Sequence, residues 1–461
     1  MTAQTILPAN SVVDTGYNVD NSCRFDRASS DDFTKTSSGG SKRKATFSAW
    51  LKWGIHVGTS TEQGIFESHD GTNYFSVYTD GLNLRANNTG GTGDAIYSTQ
   101  VLRDPSAWYH VVIAVDSDQG TASNRFRMYI NGSEVTSFSA AVYPTEDEDM
   151  KFNGSGTIQV GGGAAGNWDG YMAEVVWIDG LQLTPTSFGE FDEDSPTIWK
   201  PIDVSGLTFG ANGFYLDFKD SANLGNDANG GTDLGENNIV ANNQSTDTCT
   251  NNFCTLNPLY NVDGSYTLSV GNTQFLGTGG NDHTLGTLGV QGSGKWYFEA
   301  EFDTNKAKCY AGFADSDLAN NLATDAAGVT VFVGMYRDDY TINIGAVNEG
   351  AYTDVSDGDI FGFAMNLDAA SGSRTVIIQK NGSTIDTVTI PTANEDSIFL
   401  PIVGDTSSTD GVIKCNFGGT PNPTPSSAVS DAKGFGAFEY SPTIGGVAYL
   451  ALCTKNLGSN G

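Results

Sequence analysis

The chain has 461 residues, with 23 Lys and Arg against 54 Asp and Glu, for a formal net charge of −31. That balance excludes nucleic acid and insertion into an anionic membrane, because basic side chains supply the phosphate contacts such partners require. An aromatic fraction of 11% is too high for a disordered acidic chain, so the acidity coats folded domains.

Residues 1–40 read as an N-terminal arm and a first strand, NSCRFD, in which Cys23 and Phe25 share a face. Residues 41–218 then run as short alternating strands with glycine turns. ATFSAWLKWG carries large side chains on both faces and reads as a central strand. GIFESHD and YFSVYTDGLNLRAN form a meander turning at Asp80-Gly81, and WYHVVIAVD is a strongly apolar strand. FRMYINGSEVTSF folds back at Asn131-Gly132, a pair that tolerates the positive φ angles of a tight hairpin. After the bend GGGAAG, period two puts Tyr171, Ala173, Val175 and Trp177 on one face of GYMAEVVWIDG.

Residues 219–261 are poor in apolar groups and crowded with Asn, Asp, Gly and Thr, and they read as a connector. A structureless loop that long is uncommon in a compact protein. Phe253, Leu256 and Leu259 are therefore expected to pin its end to the sandwich that follows. Residues 262–461 hold that sandwich and a tail. In GKWYFEAEF, Trp296, Phe298 and Ala300 face one way and Tyr297, Glu299 and Glu301 the other, while Ala448 to Leu452 form an apolar cap. The predicted fold is all-β: two antiparallel β-sandwiches of jelly-roll type joined by an Asn/Asp/Gly-rich connector.

FSAWLKW, WYHVVIAVD, FRMYINGSEV and GYMAEVVWIDG with LTPTSFGEFD, in that order, resemble the laminin G-like or concanavalin A-like jelly roll of bacteriophage virion proteins. GKWYFE, YAGFAD, GDIFGFAMNLD and the hairpin at Asn381-Gly382 resemble a SPRY domain. NGFYLDFKDSANLGNDANG and DTCTNNFCTLNPL resemble a connector that joins two such modules in phage tail proteins. The resemblance implies a virion structural protein assembled in a host cytoplasm, a tail fibre or tail-associated adhesin, with a capsid decoration or head fibre as the alternative. It implies a homo-oligomer, a trimer, among other virion proteins, with a host-surface or environmental glycan as ligand. The N-terminus lacks the order of basic, apolar and small residues of a secretion signal, and no apolar run is long enough to span a bilayer.

No catalytic set is evident, so no enzyme is predicted. A glycan-degrading enzyme, the rival reading, needs two carboxylates across the scissile bond, and the E-x-D-x-x-E spacing that places them is missing. Glu190, Asp192, Glu193 and Asp194 lie between prolines, and Glu146, Asp147, Glu148 and Asp149 read as a solvated loop. His110, inside an apolar strand, reads as a structural imidazole. The six cysteines read as free thiols, with a local Cys249–Cys254 disulfide as the alternative. No metal or cofactor is predicted. Calcium on Asp220, Asn223, Asn226, Asp227, Asn229 and Asp233 stays open beside their reading as turn formers.

Sugars are held by aromatic faces with polar groups reading their hydroxyls, usually from loops. Two places carry that mixture: Asn167, Trp168, Asp169 and Tyr171, and the hairpin tip Tyr336, Arg337, Asp338, Asp339 and Tyr340. These nine residues are the candidate ligand contacts.

Overall fold

The computed structural model describes residues 16–54, 61–89, 93–260, 266–278, 282–304, 309–316, 332–336, 341–344, 347–351, 354–405 and 411–458. The chain forms two compact units, one over Thr15–Thr250 and one over Asn251–Gly461. The division falls inside the connector. Both units are built almost wholly of antiparallel strands, as sandwiches of jelly-roll type.

The first unit has two eight-stranded sheets. In one, Lys44–Trp53 lies between Tyr109–Asp116 and Gly170–Asp179, which explains why nine of its ten residues are buried. The other carries the meander Glu62–His69, Tyr74–Asp80 and Asn83–Asn88. Rings fill the space between, where Phe66 stacks on Trp177 with centroids 4.6 Å apart and Phe75 meets Phe152 edge-on.

Asn131 and Gly132 both take positive φ, 46° and 76°, and Ile130 pairs with Ser133 across a two-residue turn. A Cβ on Gly132 would sit 2.3 Å from Cε3 of Trp199. Gly132→Ala therefore adds a strained φ to a clash with a buried ring. It is expected to lower stability by about 1–3 kcal/mol, read as an earlier thermal transition in tryptophan fluorescence.

The strand Gly170–Asp179 departs from simple alternation. Glu174 has φ of 50°, and the register against Lys44–Trp53 shifts between Ala173 and Val176. Such a bulge adds one residue and turns every later side chain to the other face. Tyr171 and Ala173 thus pack outside with Trp50 and Trp108, whereas Val175 and Trp177 enter the core between the sheets. The four do not share one face.

Residues 219–250 fold onto the first sandwich. Gly235–Asn237 pairs with Asp32–Ser37, and Gln244–Ser245 pairs with Ser22–Phe25. The carboxylates here make turns: Asp220 Oδ1 accepts from Ala222 N, and Asp227 Oδ1 from Asn229 N. Among the described residues no three His, Cys, Asp or Glu side chains are placed to hold a metal ion.

In the second unit, Phe253 bridges Cys453 and Leu256 bridges Gly286, both side chains buried. Leu259 does not join them. It is 44% exposed, because Asn257 caps a turn that faces it outward. The strand Lys295–Thr304 sends Trp296, Phe298, Ala300 and Phe302 into the core, where Phe298 touches Phe313, Phe363 and Phe417. Leu450–Ala451 adds in parallel beside it. None of the six cysteines is in a disulfide, Cys249 and Cys254 included. No helix among the described residues is long and apolar enough to cross a membrane.

Candidate functional site

The glycine-rich bend at residues 161–167 brings together segments far apart in sequence. Gly64 N–H donates to Gly166 O at 3.1 Å, and a Cβ on Gly64 would lie 2.5 Å from that oxygen. Only glycine allows this approach. Ala164 N–H donates to Glu67 Oε2 at 2.9 Å, fixing the other arm of the bend.

The predicted residues beside the bend lie at its base. Trp168 is fully buried and meets Trp53 edge-on at 5.1 Å, so its face is filled by protein. Tyr171 is equally buried, with Lys52 Nζ 5.8 Å from its ring centre. Asp169, 4% exposed, accepts from Arg27 N through Oδ2, and its own N–H donates to Gln63 Oε1 at 2.8 Å. Asn167 turns its amide inward to Asp31 O and Asp32 Oδ2. These four hold the bend, and the two rings offer no open face for stacking. At the second place, Tyr336 ends the strand Phe332–Tyr336 and pairs with Tyr310 and Thr341. Arg337, Asp338, Asp339 and Tyr340 lie outside the described residues.

The accessible feature is next to the bend. A groove of about 680 Å³ is lined by Arg27, Thr61, Glu62, Asp80 and Ala164 to Gly166. Arg27 Nη1 donates to Glu62 O at 2.6 Å, which sets the guanidinium across the groove with Nη2 beside Gly166. Glu62 and Asp80 stand directly opposite in their strand pair, and Asp80 is ion-paired to Arg85. Arg85 in turn lies 4.7 Å from the Tyr97 ring centre. A fork of N–H donors in the same lining as two carboxylates can read adjacent hydroxyls of a sugar, each of which both donates and accepts. Among the described residues the lining contains no aromatic ring, whereas a stacking platform is expected of the bend. Sequence reasoning missed Arg27, Glu62 and Asp80 as a set, since they stand 18 or more positions apart; the Asp80-Gly81 turn and the GGGAAG bend touched this groove, each as a turn signal alone.

Several of the remaining candidate groups are occupied. His110 Nδ1 accepts from Trp199 Nε1 at 3.0 Å, a donor that cannot accept, so Nε2 carries the proton toward Ser48 Oγ at 2.9 Å. Burial pushes this imidazole down to about 3, leaving it neutral. Arg43 gathers Asp118, Asp147 and Asp149, while Lys200 holds Glu190 and Asp192.

Two buried carboxyls elsewhere, Glu174 in the first unit and Glu299 in the second, are raised to about 7. Burial raises Glu174 to about 7 against hydrogen bonds from Tyr215 and Tyr17. Burial likewise raises Glu299 to about 7 against four donors. Neither residue lines the groove.

Residues 28–186 match the Concanavalin A-like lectin/glucanases superfamily. The match lies within the first sandwich and includes the bend and all the groove residues except Arg27. Solved structures with a similar fold include the native heptameric SAP-like pentraxin of Limulus polyphemus. It is 18% identical, with a TM-score of 0.28, over 36% of this chain and 78% of that one. Domains LG4-5 of the mouse laminin α1 chain are 11% identical, with a TM-score of 0.30, over 90% and 92%. The SPRY domain of human HERC1 is 16% identical, with a TM-score of 0.27, over 35% and 96%. No curated protein matches the chain.

Proposed function

We propose that this chain is a glycan-binding adhesin whose first sandwich holds its ligand in the Arg27 groove. The observation that carries this reading is the convergence of one guanidinium and two carboxylates on an open groove beside the glycine bend. The net charge of −31 suits a surface that stays dispersed in water while it samples neutral glycans. The order of motifs and the wording of the connector favour display on a bacteriophage particle, on a tail fibre or receptor-binding appendage. Three copies is the symmetry such an appendage would use. A capsid decoration or head fibre would carry the same groove, and antibody labelling of particle images separates the two positions.

A glycan array compares the whole chain with Arg27→Ala. Removing a charged hydrogen-bond donor weakens a bound hydroxyl by about 1.5–3 kcal/mol, roughly 10- to 100-fold. The expected result is retention of at least one glycan by the wild type and its loss in the variant. Equal retention by both would remove the groove from the function.

A second reading, glycan cleavage, rests on Glu62 facing Asp80 across one strand pair, since retaining glycosidases set two carboxyls about 5 Å apart. Binding is preferred because Arg85 holds Asp80 in an ion pair. Release of reducing ends from a retained glycan, abolished in Glu62→Gln, would reverse that preference.

A further inference from the structure

We infer that the first unit carries a second ligand site, separate from the Arg27 groove, built where the connector folds back on the strand Asp32–Ser37. Its ligand class is a neutral polyhydroxylated molecule, a hexose or hexitol unit. In DFTKTS the residues Phe33, Lys35 and Ser37 share one face by alternation. Phe33 enters the core on that face, so Lys35 is a charge directed inward at the rim of the sandwich.

Its side chain is only 9% exposed, and its ammonium lies 5.6 Å from the Phe214 ring centre. The opposing charge is Asp227, a connector residue whose side chain is fully buried. Lys35 Nζ and Asp227 Oδ2 are 3.6 Å apart, too far for a good hydrogen bond. Asp227 Oδ1 accepts from Tyr215 N and Asn229 N, while Oδ2 has no hydrogen-bond donor. A buried carboxylate oxygen in that condition is uncommon and costly.

Beside the pair lies a groove of about 510 Å³, within the range of roughly 300–1,000 Å³ usual for small-molecule sites. Lys35 and Gly231 line it, and a Cβ on Gly231 would sit 2.3 Å from Asp227 Oδ2, which places that oxygen just beneath the groove wall. Thr34, Thr36, Ser38, Asn212, Asn229 and Thr232 extend the polar lining. A hydroxyl differs from an anion or a cation here because it can accept from Nζ and donate toward a carboxylate at once. The charge balance also selects it. Lys35 is offset by Asp227, and Asp233 on the rim adds a further negative charge, which repels carboxylates and phosphates.

The test is calorimetric titration of the full chain with glucose, galactose, mannose and sorbitol, alongside glucuronate and inorganic phosphate. The variants are Lys35→Met, Thr232→Trp, which fills the groove from an exposed position, and Arg27→Ala. The expected result is saturable binding of at least one neutral probe, weakened tenfold or more by Lys35→Met and by Thr232→Trp. Should Lys35→Met fail to fold, Thr232→Trp decides alone. No saturable binding of any neutral probe, or binding insensitive to Thr232→Trp, overturns the site. Binding of only glucuronate or phosphate overturns the ligand class. Loss in Arg27→Ala alone would assign the binding to the other groove.

Discussion

Replacing Asp247 by Ala is expected to destabilise the first sandwich by about 3–5 kcal/mol, the cost of leaving a buried charge without its partner. Lys52 Nζ and Asp247 Oδ2 are 2.6 Å apart, and their side chains are 0% and 1% exposed. Trp108 Nε1 donates to the other carboxylate oxygen at 3.1 Å. The main chain of Asp247 is held as well, its N–H by Ser245 Oγ and its carbonyl by Ser22 Oγ. Without the carboxylate, the ammonium of Lys52 stays among Trp108, Tyr171 and Val19 in an apolar cluster. The pair is not predicted to add net stability over an apolar one. Lys52→Met with Asp247→Leu should recover most of the loss, because removing both charges also removes their desolvation. Urea unfolding followed by tryptophan fluorescence reads this unit well, since six of the seven tryptophans lie in Thr15–Thr250 and only Trp296 lies beyond it. A single variant that loses less than about 1 kcal/mol, or a double variant no better than the single, would show that the connector is not anchored by this pair.

That ion pair also marks where reading the sequence stops. Strands such as Lys44–Trp53 and Lys295–Thr304 were legible because alternation and burial are local properties, and Asn131-Gly132 because its backbone angles demand those residue types. The connector looked like a seam because Asn, Asp and Gly bury little surface. One of its attachments to the first sandwich is Asp247 meeting Lys52, 195 positions earlier, which no local pattern contains. The bulge at Glu174 was hidden for a different reason: glutamate carries no signal for positive φ, so period two was extended through it. At the candidate site, Trp168 beside Asn167 and Asp169 had the composition of a sugar platform. The same composition also suits a ring driven under a glycine bend, and the structure places it there. Arg27, Glu62 and Asp80 became a site only through pairing of strands and approach of the bend.

The second sandwich is expected to lose stability as the pH rises from about 4.5 to about 7, and Glu299 is the cause. Its carboxyl is 2% exposed and accepts from Tyr440 N at 2.8 Å, and from Glu439 N, Tyr297 Oη and Asn416 Nδ2 at 3.0 Å each. Two of these donors belong to the tail, so this side chain ties the tail to the strand Lys295–Thr304. Burial outweighs the four donors and raises the group from 4.5 to about 7. Between those values the folded state keeps a proton that the unfolded state has released, so stability is full below 4.5 and falls as the pH climbs through 7. The gap corresponds to roughly 3 kcal/mol, at most about 1.4 kcal/mol per pH unit. The first sandwich should respond less. Glu174 there has the same raised value and sign, but His110, lowered to about 3, gives stability that grows from about 3 to 6.5 and opposes it. Labelling with 5-fluorotryptophan lets the Trp296 resonance report the second unit by itself during denaturation at pH 5, 6 and 7. Glu299→Gln should remove the fall for that resonance while keeping one acceptor for the tail. A Trp296 transition whose pH slope is the same in the wild type and in Glu299→Gln would mean that the tail donors hold this carboxylate ionised throughout.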